Sequence, residues 1–478
     1  MLVKQSDDFY VNVYSRSSEV TGNCNLNSVH FPNGKNFRFL VECGLFQGNS
    51  EEQYLNQYVP FDAKKISAVF ITHNHIDHTG LLPVLVKQGY EGPIFTTYAT
   101  YRLIDVALYD SCKIRNSDIG EQLYSSIDVE NTLAKLVGCR YKTIIKPHKY
   151  VHAVFYSNGH LLGSAIVHIK ISYPGREDIN LIYTGDYNNK NMFFNVESLP
   201  KRLTSMKISA IFTESTYGDM DSNDPRLAPY FEKNLITAIN DGKTVVLPAF
   251  SQGRYQEILL YLRLMQSKGT LPITVPIWLD GFTGQEYTKR YMNMDLGIKK
   301  LSKNFMPKNV HFVPFKDRRK IREELIADVN SKIILAPGGM GNYGSIQKYI
   351  SNLISSDNVL IHYLGYCSPE SRAFELINAD YGDAVNYAGM TYIKRASVKW
   401  TGEYSAHAKR NEVLAFILQF DNVNAILITH GDELIRKKFA AYLHYKLDSS
   451  IQIGILNPEY AYHVTSDGVT TKPAHFEI

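Results

Sequence analysis

The densest chemistry in the sequence is the segment Thr72-His73-Asn74-His75-Ile76-Asp77-His78, which sets three imidazoles and a carboxylate within one short stretch. An extended His-x-His places two imidazoles on the same side, where they can share one ion, and the Asp-His pair that follows turns toward a second. Imidazole and carboxylate donors without thiolates suit zinc first, with manganese or iron as alternatives.

Two ions need donors from elsewhere in the chain. His160 in YSNGHLLGSA, Asp186 in IYTGDYN and His430 in ILITHGD each stand at or just past an expected strand. Taken singly, such residues are common in turns. Together with the first segment they complete a set: His73, His75 and His160 for one ion, Asp77, His78 and His430 for the other, and Asp186 bridging both. Ions so bridged sit roughly 3.5 to 4 Å apart and lower the pKa of a shared water toward neutrality, which makes hydroxide the expected nucleophile.

The elements around these residues are legible in outline. Short alternating segments broken by Gly, Asn and Ser from Phe9 to about Leu40 predict strands and tight turns. A buried strand over Ile66–Thr72 runs into the histidine segment, and GLLPVLVKQG predicts a helix capped by Thr79. Residues 97–140 read as mostly helical, and strands are expected at Tyr150–Tyr156, Ala165–Ser172, Asn180–Thr184 and Ala210–Thr213. From about residue 241 four units each join an apolar strand, a glycine-bearing loop and a helix: KTVVLPAFSQGRYQEILLYL, ITVPIWLDGFTGQEYTKRYM, KIILAPGGMGNYGSIQKYI and VLIHYLGYCSPESRAFELI. That alternation predicts a parallel sheet whose loops gather beyond the strands' carboxyl ends. After about residue 396 strand-rich texture returns up to Ile478. The expected organisation is therefore a first domain over 1–215, an insertion over 216–395, and the rest of the first domain over 396–478.

These motifs, in this order, resemble the metallo-β-lactamase superfamily and its β-CASP branch of nucleic-acid-processing enzymes. Glu214 in FTESTYGD matches the branch's acidic motif, His407 in YSAHA its later histidine motif, FSQGRYQE its helix-opening motif and PGGMGNYG its glycine-methionine loop. The resemblance covers nearly the whole chain. It implies an α/β fold, the αββα sandwich of the metallo-β-lactamases with an inserted β-CASP parallel α/β domain, and in-line attack on an RNA phosphodiester by a hydroxide shared between two Zn2+ ions, or Mn2+ in their place. Asp77 would hold or deprotonate the attacking water, and His407, oriented by Glu214, would contact the phosphate and protonate the leaving oxygen. Ser251, Gly339 and Met340 fall in loops that would meet neighbouring phosphates at helix N-termini, with packing as the alternative reading. The insert would close over the first domain with its loops toward the metals. Glu42 in VECGLFQG stands where the branch usually has Asp, a group that orients a metal-binding histidine. GYCSPESRAFEL matches a substrate-facing loop imperfectly. The basic run Lys316–Arg322 reads either as an RNA contact or as a solvated helix face.

Composition narrows the setting. Lys plus Arg (51) exceeds Asp plus Glu (47) by four, so any nucleic-acid contact must be local. The five cysteines contain no C-x-x-C pair and read as reduced thiols of a cytoplasmic protein. No signal-peptide-like start and no long apolar run are visible, so neither secretion nor a membrane partner is expected. No RNA-binding domain is expected at either end, nor the extra C-terminal domain of ribonuclease J. A homodimer stays open, as does internal against 5′-end cleavage. The rival readings are a DNA nuclease of the same branch, disfavoured because His430 is present, and a non-catalytic nucleic-acid-binding scaffold, disfavoured because all seven ligands survive. A small-molecule ester hydrolase would not need the large insert.

Overall fold

A computed structural model describes residues 8–47, 54–118, 123–299, 302–365, 367–369 and 371–474. Ile478, and Tyr366 and Glu370 of the GYCSPESRAFEL segment, lie outside the described residues. The chain divides into two compact units, one running to Asn191 and including Asn195–Ser222 and His407 onward, the other Met192–Phe194 and Asn223–Ala406.

The first unit is built on two sheets. In one, the antiparallel strands Tyr10–Ser15, Asn25–His30 and Asn36–Val41 continue into the parallel strands Ala68–Phe70, Ile94–Thr97 and Leu136–Cys139, with Tyr460–Val464 and Val469–Pro473 at the other edge. In the other, the meander from Ile144 to Tyr183 pairs in parallel with Ala210–Thr213, then Ala425–Ile428 and Gln452–Ile455. Side chains alternate with the strand period of two. Val11, Val13, Phe37, Phe39 and Val41 of the first sheet meet Val167, Ile169 and Ile171 of the second in one buried core. The opposite faces are covered by helices. Leu26 and Leu40 pack with Leu82, Leu85 and Leu108, while Ile166, Ile182 and Ile426 pack with Phe416 and Phe439. Helix, sheet, sheet, helix is the layer order.

The second unit holds a six-stranded sheet in which neighbouring strands pair in parallel. All four strand–loop–helix units are there. A further one is present that the sequence did not reveal, the strand Val310–Phe312 followed by the helix Arg318–Ala327. Its strand is three residues long and largely exposed, so it lacks the apolar run that marks the others. Ser397–Thr401 pairs in parallel with Val359–Leu364 and belongs to this sheet, so the unit extends to Ala406.

Two local readings are corrected. The buried strand before the histidine segment is only Ala68–Phe70. Thr79 does not cap the helix after it. The chain instead turns at once into a short helix, Ile76–Thr79, with His75 at its N-cap, and Thr79 donates its hydroxyl back to the His75 carbonyl at 2.9 Å. Thr79 thus closes the turn that carries Asp77 and His78.

One histidine outside the metal clusters gives the fold a pH dependence. His168 faces away from the inter-sheet core, is buried, and lies 3.1 Å from the side-chain oxygen of Asn180. Burial pushes its imidazole down to about 4, against the opposing pull of Asn180. The unfolded chain, with a histidine pKa of about 6.5, binds this proton first as pH falls. The stabilisation is therefore whole above about 6.5 and is lost progressively toward pH 4. Between pH 7.5 and 5, urea unfolding should show the wild type losing about 2 kcal/mol more than His168→Gln; equal losses would remove His168 from the account.

Candidate metal centre

All seven residues of the sequence-derived ligand set come from the first unit and meet at strand ends. His73, His75, Asp77 and His78 follow the strand Ala68–Phe70, His160 follows Val151–Ser157, Asp186 follows Ile179–Tyr183, and His430 follows Ala425–Ile428. Donor atoms of His73, His75, His160 and Asp186 lie within 4.8 Å of one another, as do those of Asp77, His78, Asp186 and His430.

Asp186 belongs to both groups through different oxygens. Its Oδ2 is 3.6 Å from His73 Nε2 and 3.5 Å from His160 Nε2. Its Oδ1 is 3.2 Å from both His78 Nε2 and His430 Nε2. His75 Nδ1 completes the first group 3.3 Å from His160 Nε2, and Asp77 Oδ2 the second, 3.5 Å from His430 Nε2. Four donors at the 2.0–2.1 Å bond length of zinc stand about 3.3 Å apart in a tetrahedron, and these separations match that spacing. Buried His73 Nε2 and Asp186 Oδ1 have no hydrogen-bond partner among the described residues. Orphaned buried donors and acceptors are costly, and a cation at each group would satisfy them. The residues fit two divalent ions.

Electrostatics point the same way. Burial and neighbouring imidazoles hold His73 well below the usual histidine range, and burial brings His75 to about 4, so both are neutral and can donate lone pairs at neutral pH. Burial works against the charge on Asp186 and Asp77, yet the surrounding histidines hold both carboxyls below the usual range. Burial likewise opposes a proton on His78 and His430, but Asp186 and Asp77 raise both. Protons on these histidines offset the buried carboxylates, the same work that cations would do.

Side chains from distant loops fix the ligands. Thr72 Oγ1 lies 3.0 Å from His73 Nδ1 and Thr216 Oγ1 lies 3.1 Å from His430 Nδ1, which leaves each Nε2 toward Asp186. Asn158 donates its amide to the carbonyls of Thr184 and Asp186 at 2.9 and 2.8 Å and accepts from the His160 backbone at 3.2 Å, tying two ligand loops together. Two glycines permit the close approach. A Cβ on Gly44 would stand 1.6 Å from the Asp77 carbonyl, and one on Gly185 (φ +55°) would stand 2.6 Å from Thr72 Oγ1. The sequence reading missed Thr72, Asn158 and Thr216; adjacency to a ligand was the signal for Thr72, whereas Thr216 adjoins no ligand.

Glu42 is buried under the second group. Its Oε1 accepts the Thr72 N–H at 3.0 Å, and its Oε2 is 3.5 Å from His78 Nδ1. The backbone at Glu42 adopts φ +68°, a left-handed conformation uncommon for Glu. Glu42→Ala should weaken metal binding about 10- to 100-fold, as for other partners that orient a ligand. Isothermal titration with zinc checks this, and unchanged affinity would free Glu42 of the role.

A third group joins Glu214, His407 and His430. His407 Nδ1 lies 2.8 Å from Glu214 Oε2 and 3.0 Å from Oε1, and Glu214 also accepts the backbone N–H of Tyr187. The His407 ring is 4.6 Å from that of His160 and 6.0 Å from that of His430, so the pair borders both ligand groups.

Ser251, Gly339 and Met340 lie in the other unit. Ser251 does not cap the helix Arg254–Lys268; Gly253 (φ +78°) precedes it and donates its N–H to Gln256 at 2.8 Å. The Gly339 backbone lies against the Phe250 ring, and Met340 Sδ is 3.9 Å from Ser368 Oγ.

An αββα sandwich with clustered histidines and aspartates at its strand ends defines a class of metal-binding hydrolases. Family models agree in chain order: a metallo-β-lactamase superfamily domain over residues 33–215, a β-CASP domain over 255–376 and a Zn-dependent metallo-hydrolase RNA specificity domain over 392–453. The chain belongs to the β-CASP branch of the metallo-β-lactamase superfamily. It is similar to a ribonuclease of Thermus thermophilus, 29% identical over 88% of this chain and 92% of that one. It is also similar to a transcription termination factor of Methanosarcina mazei, 28% identical over 86% of this chain and 66% of the relative. A cleavage and polyadenylation specificity factor 73 of Drosophila melanogaster is 25% identical over 90% of this chain and 62% of its own. The chain thus spans just under two thirds of the termination factor. Divalent-metal binding follows from the family and the clusters together.

Proposed function

We propose that the chain is a zinc-dependent ribonuclease that binds two ions per molecule and hydrolyses RNA phosphodiesters. The observation that carries this is Asp186, whose two oxygens face two separate histidine groups. His73, His75 and His160 would hold one ion, Asp77, His78 and His430 the other, and Asp186 would serve both. Bound there, the ions would supply Lewis acidity that lowers the pKa of water and offsets charge on the attacked phosphate.

The chain's own groups do the rest. Asp77, with its side chain partly exposed, orients the attacking water and takes its proton. With Nδ1 committed to Glu214, His407 contacts the phosphate and protonates the leaving oxygen through Nε2. Ser251, Gly339 and Met340 are proposed to meet flanking phosphates. The five cysteines are free thiols, which favours a reducing, cytoplasmic setting. No helix among the described residues is long and apolar enough to cross a membrane.

The RNA reading is supported by the ribonuclease relative and by the RNA specificity domain match. Metal-analysed protein incubated with end-labelled RNA and its DNA counterpart should cut the RNA and leave the DNA largely intact. Preferential DNA cleavage would transfer the activity to the rival reading, and cleavage of neither would end both.

A further inference from the structure

The strands of the second unit's sheet run in the spatial order Val310–Phe312, Ile277–Leu279, Lys332–Pro337, Thr244–Ala249, Val359–Leu364 and Ser397–Thr401. Because neighbours are parallel, their carboxyl ends share one edge, the edge at which open α/β sheets bind ligands. Past the first four of those ends stands one aromatic each: Phe315, Phe282, Tyr343 and Phe250, exposed by 66, 52, 57 and 38%. Single exposed apolar residues need no explanation, but one on each of four adjacent strand ends is a row.

The row is continuous with a cationic cavity. The rings of Phe282 and Phe315 are 6.3 Å apart, and the Arg318 guanidinium lies over Phe315, 4.3 Å from its centroid. Arg318 lines a cavity of about 340 Å³ together with Arg319, Arg322, Lys348, Gly344 and Ser345. Tyr343 adjoins that wall at Gly344. The helices Arg318–Ala327 and Ile346–Leu353 begin there and add the positive ends of their dipoles. Arg322 is fixed by Asp280 at 2.6 and 2.9 Å, whereas Arg319 makes an exposed one-turn pair with Glu323, which an anion can displace.

A small anion has no use for four aromatic faces, and a purely apolar partner surface has none for four cations around a cavity. Aromatic faces beside a basic groove are the equipment of single-strand binding, in which every base offers a π-face and every linkage a phosphate. We propose that this edge is a stacking platform for unpaired RNA, with bases on Phe315, Phe282, Tyr343 and Phe250 and backbone phosphates in the cavity of Arg318, Arg319, Arg322 and Lys348. The platform rests on the RNA-cleaving reading and adds that the substrate is taken single-stranded and without a base requirement at these positions.

The test is fluorescence anisotropy of the full chain with labelled single-stranded A-rich and U-rich RNA and with a duplex of equal length, after chelation so that nothing is cut. Phe282→Ala and Phe315→Ala should each weaken single-strand binding about 5- to 100-fold for both sequences, with the salt dependence unchanged. Phe315→Trp should retain affinity. Arg318→Gln and Lys348→Gln should each flatten the slope of log K against log salt by about 0.7. With metal restored, all of these variants should hydrolyse bis(p-nitrophenyl) phosphate like the wild type. Wild-type RNA affinity in the phenylalanine variants overturns the platform, as does an equal loss on duplex. A changed sedimentation coefficient with RNA affinity intact overturns it in favour of a protein interface. A metal-loaded wild type that hydrolyses neither RNA nor bis(p-nitrophenyl) phosphate would instead sink the ribonuclease reading, while the anisotropy still decides the platform.

Discussion

His407→Ala is expected to keep both metal ions and still bind RNA, yet lose roughly 10²- to 10⁴-fold in cleavage rate, the range for a positioned proton donor. The expectation follows from its bond to Glu214 through Nδ1, which fixes the ring at the border of both ligand groups. Added metal should not restore the rate. His430→Ala should behave differently, because its Nε2 stands 3.2 Å from Asp186 Oδ1 and 3.5 Å from Asp77 Oδ2. That variant should lose occupancy of the second ion and be partly rescued by excess metal. Glu214→Gln should resemble His407→Ala if the pair acts together. Elemental analysis beside single-turnover rates separates the three, and a His407→Ala that loses metal while His430→Ala keeps it would mean the two roles are exchanged.

The second large effect is expected at Asp186. Asp186→Asn conserves shape but removes the charge shared by four imidazoles, the only carboxylate common to the two four-residue groups. Loss of a direct donor to both groups should exceed the roughly 100-fold ceiling for partners one step removed, and metal content should fall for both ions together. Loss of one ion alone would show that Asp186 serves a single group. Excess zinc should refill the histidine groups only at concentrations far above those that fill the wild type.

The residues that the structure brings together at the candidate metal centre were legible because each segment that carries them follows an apolar strand, and strand ends of a sandwich converge in space. Hydrogen-bonded supports were not. Thr216 reaches His430 across more than two hundred residues, and although it stands in the FTESTYGD motif, nothing there marks its hydroxyl as a partner of His430. Glu42 was legible as a departure from its family, but its left-handed backbone was not, since a positive φ at Glu has no compositional mark. In the second unit the strand Val310–Phe312 escaped notice because its exposed side chains break the apolar run. The aromatic row escaped with it: Phe250, Phe282, Phe315 and Tyr343 sit one per unit, a regularity visible only once all the units are placed.

RNA cleavage is proposed to depend on two ions held at Asp186. The most direct test is the single-turnover rate on end-labelled RNA as metal-free protein is loaded stepwise with zinc, with bound metal measured at each step. The rate should be negligible without metal, rise steeply as occupancy approaches about two ions per chain, and level off there. Full cleavage by the metal-free protein, or no cleavage by protein shown to carry both ions, would contradict it.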